Sequence, residues 1–156
     1  VSTGFMSLGQ KLFPLLKDFT KAHPDNLGGL FAHMVESGQN KDFEILCHES
    51  KGDWFDIGSF ETYLQAHTHL QKQTLLEGQN IKQSENTFSG KVSIADNCQV
   101  HNCVIIDSII YPGVVLENCR ISRCIIDEKT RLSGVDLNHK IIRRNTELKS
   151  GLDPQV

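Results

Sequence analysis

Asp56 follows a Trp-Phe pair in the stretch Gly52-Asp53-Trp54-Phe55-Asp56-Ile57-Gly58-Ser59. The pattern places it at a strand end, just before a Gly-Ser turn into a helix. A carboxylate held there points at the edge of a sheet, where open α/β sheets bind ligands. Carboxylate oxygen suits magnesium, which keeps several waters and takes one or two protein carboxylates beside substrate phosphates. The local alternative is that Asp56 bonds back to Gly58 or Ser59, and spacing alone favours it.

The cysteines offer a second chemistry. Cys98 and Cys103 are separated by four residues, as are Cys119 and Cys124. Such pairs invite a zinc reading, but structural zinc pairs come with a turn to match. Cys98, Cys119 and Cys124 instead fall in phase with a repeat, where a small side chain stacks inside a coil. Cys47 reads as a strand core residue. His67 and His69 face opposite sides of an expected helix and cannot chelate together. A loop histidine such as His101 or His139 can serve as general base, although nothing nearby singles either out.

The elements that must position these groups change character near residue 80. Residues 1–8 read as a strand. GQKLFPLLKDFTKAH (9–23) has helical apolar spacing, and Pro14, tolerated only in a first turn, keeps that helix short. DNLGGLFAHMVESG (25–38) repeats the pattern, with Asp25 or Asn26 as N-cap and Gly38 as C-cap glycine. FEILCHE (43–49) alternates like a strand, and GDWFDIG continues as a second strand or strand end. Ser59 caps a helix through SFETYLQAHTHLQKQTLL, with Tyr63, Ala66 and Leu70 on one face. QSENTFSG (83–90) is polar and turn-rich, as a linker is.

Beyond it the rhythm is six. Val92, Cys98, Val104, Ile110 and Leu116 are each six apart, and Ile94, Val100 and Ile106 follow the first three by two. The register slips after Leu116, resuming at Cys119/Ile121, Cys124/Ile126 and Thr130/Leu132. A coil of short parallel strands requires such a repeat, with corners drawn from Gly, Asn, Asp and Pro. Three six-residue sides per coil put roughly two and a half coils into 92–137. The expected organisation is residues 1–80, a linker at 81–90, and a β-helix with its tail over 91–156.

The chain has 156 residues, 38% hydrophobic and 22% charged, so a globular protein is expected. The net charge is −3, and no basic stripe interleaves with aromatics, which argues against a nucleic-acid partner. Lys140, Arg143 and Arg144 read as a solvated cluster. No apolar run approaches the roughly 18 residues of a membrane span. Five cysteines, an odd number, suit a reduced cytoplasmic protein. An opening Val1 inside an apolar stretch suggests the C-terminal piece of a longer protein.

Gly52, Trp54, Asp56, Ile57, Gly58, Ser59 and Tyr63 match a pattern, Gly-x-Trp-x-Asp-Ile/Val-Gly-Thr/Ser and then a helix with an early Tyr. By it the chain resembles the sugar-phosphate nucleotidyltransferases, or NDP-sugar pyrophosphorylases. Val1-Ser2-Thr3-Gly4-Phe5 looks like the Ser-x-Gly form of their sugar-pocket strand, and Asp25-x-x-Gly28 resembles a further segment of theirs. ENCRISRCIIDEKTRLSG (117–134) looks like the left-handed β-helix appended to glucose-1-phosphate adenylyltransferases and mannose-1-phosphate guanylyltransferases. The resemblance implies an α+β chain: the C-terminal portion of an α/β nucleotidyltransferase domain, then a short left-handed parallel β-helix of hexapeptide repeats. It implies sugar-phosphate contacts at Ser2, Gly4, Asp25 and Gly28, and magnesium at Asp56. Nucleoside triphosphate and sugar 1-phosphate are the implied partners.

The family's glycine-rich nucleotide loop, its phosphate-binding basic residue and its first metal aspartate have no match, so the chain alone is expected to be inactive. A β-helix assembly module and a hexapeptide acyltransferase are the competing readings. The second is disfavoured by so few coils and by leaving the Trp-x-Asp segment without a role. An open coil end favours a homo-oligomer in each case.

Overall fold

The computed structural model describes residues 6–38 and 44–150. It divides into two compact units, Val1–Trp54 and Phe55–Val156.

In the first unit a 3-10 turn (Gln10–Leu12) leads into α1 (Phe13–Ala22), with Pro14 in its first turn. There the missing N–H costs nothing, because the first helical amides have no intrahelical acceptor. Asn26, rather than Asp25, caps the next element. Its side chain accepts from Gly29 N at 3.1 Å ahead of α2 (Leu30–Glu36). Gly38 closes the helix at φ +72°, as its type allows. Leu12, Phe19, Leu30 and Met34 form the core. Among the described residues none before Leu75 is in a strand, so over 44–58 the expected strands are not formed. A strand requires a ladder partner for its backbone, and no described residue supplies one. Leu46 is accordingly 81% exposed, and Cys47 is a surface thiol rather than a core residue. The strand expected at residues 1–8 falls mostly outside the described residues.

The second unit opens with α3 (Phe60–Leu70), which stops short of the expected end because Leu75 starts a strand. Fourteen short strands then wind into a parallel β-solenoid of about five coils. The first coil is β1 (Leu75–Glu77), β2 (Lys82–Ser84) and β3 (Thr87–Ser89), so the expected linker is solenoid instead. The second is β4 (Val92–Ile94), β5 (Gln99–His101) and β6 (Val104–Ile106), and the third β7 (Ile109–Ile110), β8 (Val115–Glu117) and β9 (Arg120–Ser122). The fourth is β10 (Ile125–Ile126), β11 (Arg131–Ser133) and β12 (Asp136–Asn138); β13 (Ile141–Ile142) and β14 (Glu147–Lys149) begin a fifth. Each strand pairs with its counterparts one coil away, giving three sheets: β1-β4-β7-β10-β13, β2-β5-β8-β11-β14 and β3-β6-β9-β12.

The register corrects the period. Gln99 pairs Val115, Arg131 pairs Val115, and Arg131 pairs Glu147, so a coil takes sixteen residues rather than eighteen. The first takes seventeen, as Lys82 pairs Gln99. From Asn97 to Leu137 each side ends in the same four-residue unit: a left-handed residue, a small inward residue, an outward residue, an inward aliphatic. Asn97-Cys98-Gln99-Val100, Asn102-Cys103-Val104-Ile105 and Asp107-Ser108-Ile109-Ile110 show it, with φ of +61°, +49° and +45° at the leading residues. Links of two, one and one residues between these units make sides of six, five and five. The inward residue is therefore Ile105 and not the expected Val104 or Ile106, which face out and are only half-buried.

The small inward residues also satisfy the backbone. The buried free thiol of Cys98 donates to Tyr111 O at 3.1 Å, while Cys103, Cys119 and Cys124, also buried free thiols, each donate to the carbonyl two residues back at 3.1 Å. Ser108 does the same at 2.6 Å and accepts from Cys124 N at 3.0 Å.

Candidate functional site

Asp56 lies on an exposed irregular segment, not at a strand end. It does not cap the helix either. Ser59 Oγ accepts from Thr62 N at 3.1 Å, and Ser59 N donates to Thr62 Oγ1 at 3.0 Å. This reciprocal box satisfies two otherwise unpartnered amides and leaves the Asp56 carboxylate open to solvent. No group of three or more His, Cys, Asp or Glu side chains able to hold a metal ion exists among the described residues.

Of the other sequence-derived positions, Ser2 and Gly4 lie outside the described residues. Asp25 is exposed in the turn after α1, and Gly28 sits in a 3-10 turn (Leu27–Gly29). Nothing stands within 4 Å of where a Gly28 Cβ would be. The crowded glycine is its neighbour: a Cβ on Gly29 would meet Asn26 Cγ at 2.9 Å. A side chain at position 29 would push the Asn26 cap aside. The concavity of the first unit, about 500 Å³, is walled by Leu8, Leu12, Phe31, Met34 and Ile45, with Lys11 and Glu44 at its polar margin.

The solenoid brings together groups that the sequence reading kept apart. On the second sheet Ser84, His101 and Glu117 occupy one column, and Ser84 Oγ meets His101 Nδ1 at 2.7 Å. They line a shallow concavity of about 200 Å³ with Lys82, Gln99 and Val115. A sixteen-to-seventeen-residue period is the signal that finds this column; a period of eighteen does not.

On the first sheet, α3 carries the polar contacts. Tyr63 and Tyr111 share a hydroxyl hydrogen bond of 2.8 Å, and the Tyr111 phenol is pushed up to about 12 by that bond and by burial. Glu61 meets His139 at 3.1 Å, and Phe60 stands edge-on to the same imidazole at 4.8 Å. The Glu61 carboxyl is held below its ordinary value by its own backbone N–H, by Ser59 and by His139. Beneath the helix, the outward Ile109 and Ile125 are only 9% and 8% exposed. Burial pushes the Cys98 and Cys124 thiols up, away from thiolate chemistry.

No protein-family model matches the chain, and no curated protein matches it.

Proposed function

We propose that the chain is the C-terminal portion of a sugar-1-phosphate nucleotidyltransferase, which joins a nucleoside triphosphate to a sugar 1-phosphate and releases pyrophosphate. The observation that carries this reading is one of order. The Gly52-to-Ser59 segment runs directly into a capped helix, and that helix runs into a parallel β-solenoid. This is the sequence of parts that the resemblance implies.

The reaction is an in-line attack of the sugar phosphate on the α-phosphorus, and it depends on positioning and on neutralising phosphate charge. Magnesium supplies that neutralisation when bound, with Asp56 as one of its protein ligands. Ser2, Gly4, Asp25 and Gly28 would contact the sugar phosphate. The solenoid would serve assembly or regulation. The nucleotide loop would belong to a chain segment other than these 156 residues.

The test is pyrophosphate release with magnesium, nucleoside triphosphates and common sugar phosphates, measured on the intact gene product from its own cells and on this chain alone. Turnover is expected only from the intact product, falling on the order of 100-fold or more with Asp56→Asn. Turnover by the 156-residue chain overturns the claim that it is inactive alone. A native mass equal to the 17.5 kDa of this chain, with no turnover, overturns the nucleotidyltransferase reading.

A second reading, a non-catalytic assembly module, draws on the fifth coil. There Ile141 is 54% and Leu148 40% exposed. Inactivity of the native product together with a stable complex through that end would favour it. Five coils also lift the length argument against an acyl-coenzyme A site, although the Trp-x-Asp segment has no role in such a protein. Calorimetry with acyl-coenzyme A decides that case.

A further inference from the structure

The contacts that fasten α3 to the first sheet fix the protonation of a histidine. Gln71, just past the helix end, sends its Nε2 to three carbonyl oxygens: Val92 at 2.9 Å, Gln73 at 3.0 Å and Thr74 at 3.2 Å. Only a nitrogen can serve three acceptors, so Oε1 is the atom turned to Ser93. The Ser93 hydroxyl has a single proton and donates it to Gln71 Oε1 at 2.7 Å. Ser93 Oγ must therefore accept from His67 Nε2, also at 2.7 Å. The neutral ring carries its hydrogen on Nε2, and Nδ1 is a bare lone pair. Nδ1 is buried and has no partner.

A proton arriving at Nδ1 makes a buried cation whose new N–H has no acceptor, and such a group is costly. Burial accordingly holds His67 below the ordinary histidine value, against the opposing pulls of Gln71 and of Asp107. Asp107 is the solenoid carboxylate acting on the ring. It takes Lys91 N at 2.9 Å, while Lys91 Nζ lies on Lys72 O, also at 2.9 Å. The other titratable groups of α3 are engaged elsewhere: Tyr63 with Tyr111, His69 against Phe55, and Glu61 with His139.

We propose that α3 is a proton-operated strap: a second proton on His67 unfastens its C-terminal half from the first sheet, while the Glu61–His139 contact holds the other end. The strap stands independently of the nucleotidyltransferase reading. The sign follows from the depressed value. Above pH about 6.5 the ring is neutral whether the strap is fastened or free, and the full fastening is present. As the pH falls below that, the freed ring takes a proton that the fastened ring refuses. The fastening weakens until the pH reaches the depressed value.

Nitrogen-resolved NMR of the imidazoles and amide hydrogen exchange on the full chain test this. The expected results are an Nε2–H tautomer at neutral pH and titration of His67 below about 6.5. Protection of residues 66–71 should drop between pH about 7 and 5.5, approaching tenfold for each unit of depression. Residues 60–63 should keep theirs. His67→Gln retains a side-chain donor without titrating, so its protection at 66–71 should no longer vary with pH. An Nδ1–H tautomer, titration at or above 6.5, or a pH dependence that survives in His67→Gln overturns the proposal.

Discussion

At the scale of single residues, the solenoid is paid for at its corners. Asn80, Asn97, Gly113, Lys129 and Asn145 form one column of left-handed residues; Gly90, Asp107, Arg123 and His139 form another. Glycine, asparagine and aspartate adopt that region readily. Lys129 at φ +55° and Arg123 at φ +48° do not. A left-handed L residue costs about 1–2 kcal/mol, and glycine gives back about 0.5–1 kcal/mol of that through its entropy in the unfolded chain. Arg123→Gly and Lys129→Gly should therefore each stabilise the solenoid by about 0.5–1 kcal/mol. A urea midpoint that rises with unchanged slope is the expected sign. The one side-chain bond lost at Arg123, to Asn138 Oδ1 at 3.4 Å, is exposed and too long to reverse it. Asn145→Gly, at a left-handed asparagine (φ +57°), should be close to neutral, which separates backbone strain from a general benefit of glycine.

At the scale of elements, the helices were legible and the strands only partly so. Pro14, Gly38 and Ser59 mark helix ends by backbone chemistry that acts locally, and each stands where the sequence placed it. The alternation before residue 58 misled, because it records a wish for a ladder partner and not the partner, and no strand forms over 44–58. The solenoid showed itself from Val92 onward, but its first coil did not. Glu77 and Gln83 hold inward positions there and bond to each other at 2.5 Å, so the pattern begins polar. The six-five-five sides were hidden because Ile110 and Leu116 do lie six apart, while Val104 and Ile106 flank the true inward Ile105. Of the candidate site, the motif was legible and its surroundings were not: Thr62, the partner in the helix box, was missed. Ser59→Ala should cost about 1 kcal/mol of α3 stability. Faster amide exchange in the first turn of α3, with the solenoid strands unchanged, is the measurement that checks it, and Ser59→Asp should restore protection.

At the scale of the whole molecule, the two units rest on different physics. Among its described residues the first buries a core of Leu12, Phe19, Leu30 and Met34 and leaves Phe13, Val35 and Leu46 in solvent, a small core for those helices. The solenoid stacks each coil on its neighbour, so its stability accumulates along the axis and is lowest where a coil has one neighbour. Its middle coils bury Val100, Ile105, Ile110, Leu116, Ile121 and Ile126 almost completely, whereas in the last coil the inward Ile142 is only partly buried and Leu148 stays accessible. Unfolding should therefore not be two-state. Amides of α1 and α2 should exchange at the lowest denaturant, those of β13 and β14 next, and those of β5 to β11 together at the highest. A fragment of residues 55–156 should keep the far-UV transition of the middle coils at the midpoint of the full chain. A single transition shared by α1 and β8, or loss of cooperative unfolding in that fragment, would mean that the first unit is part of the solenoid's fold and not merely joined to it.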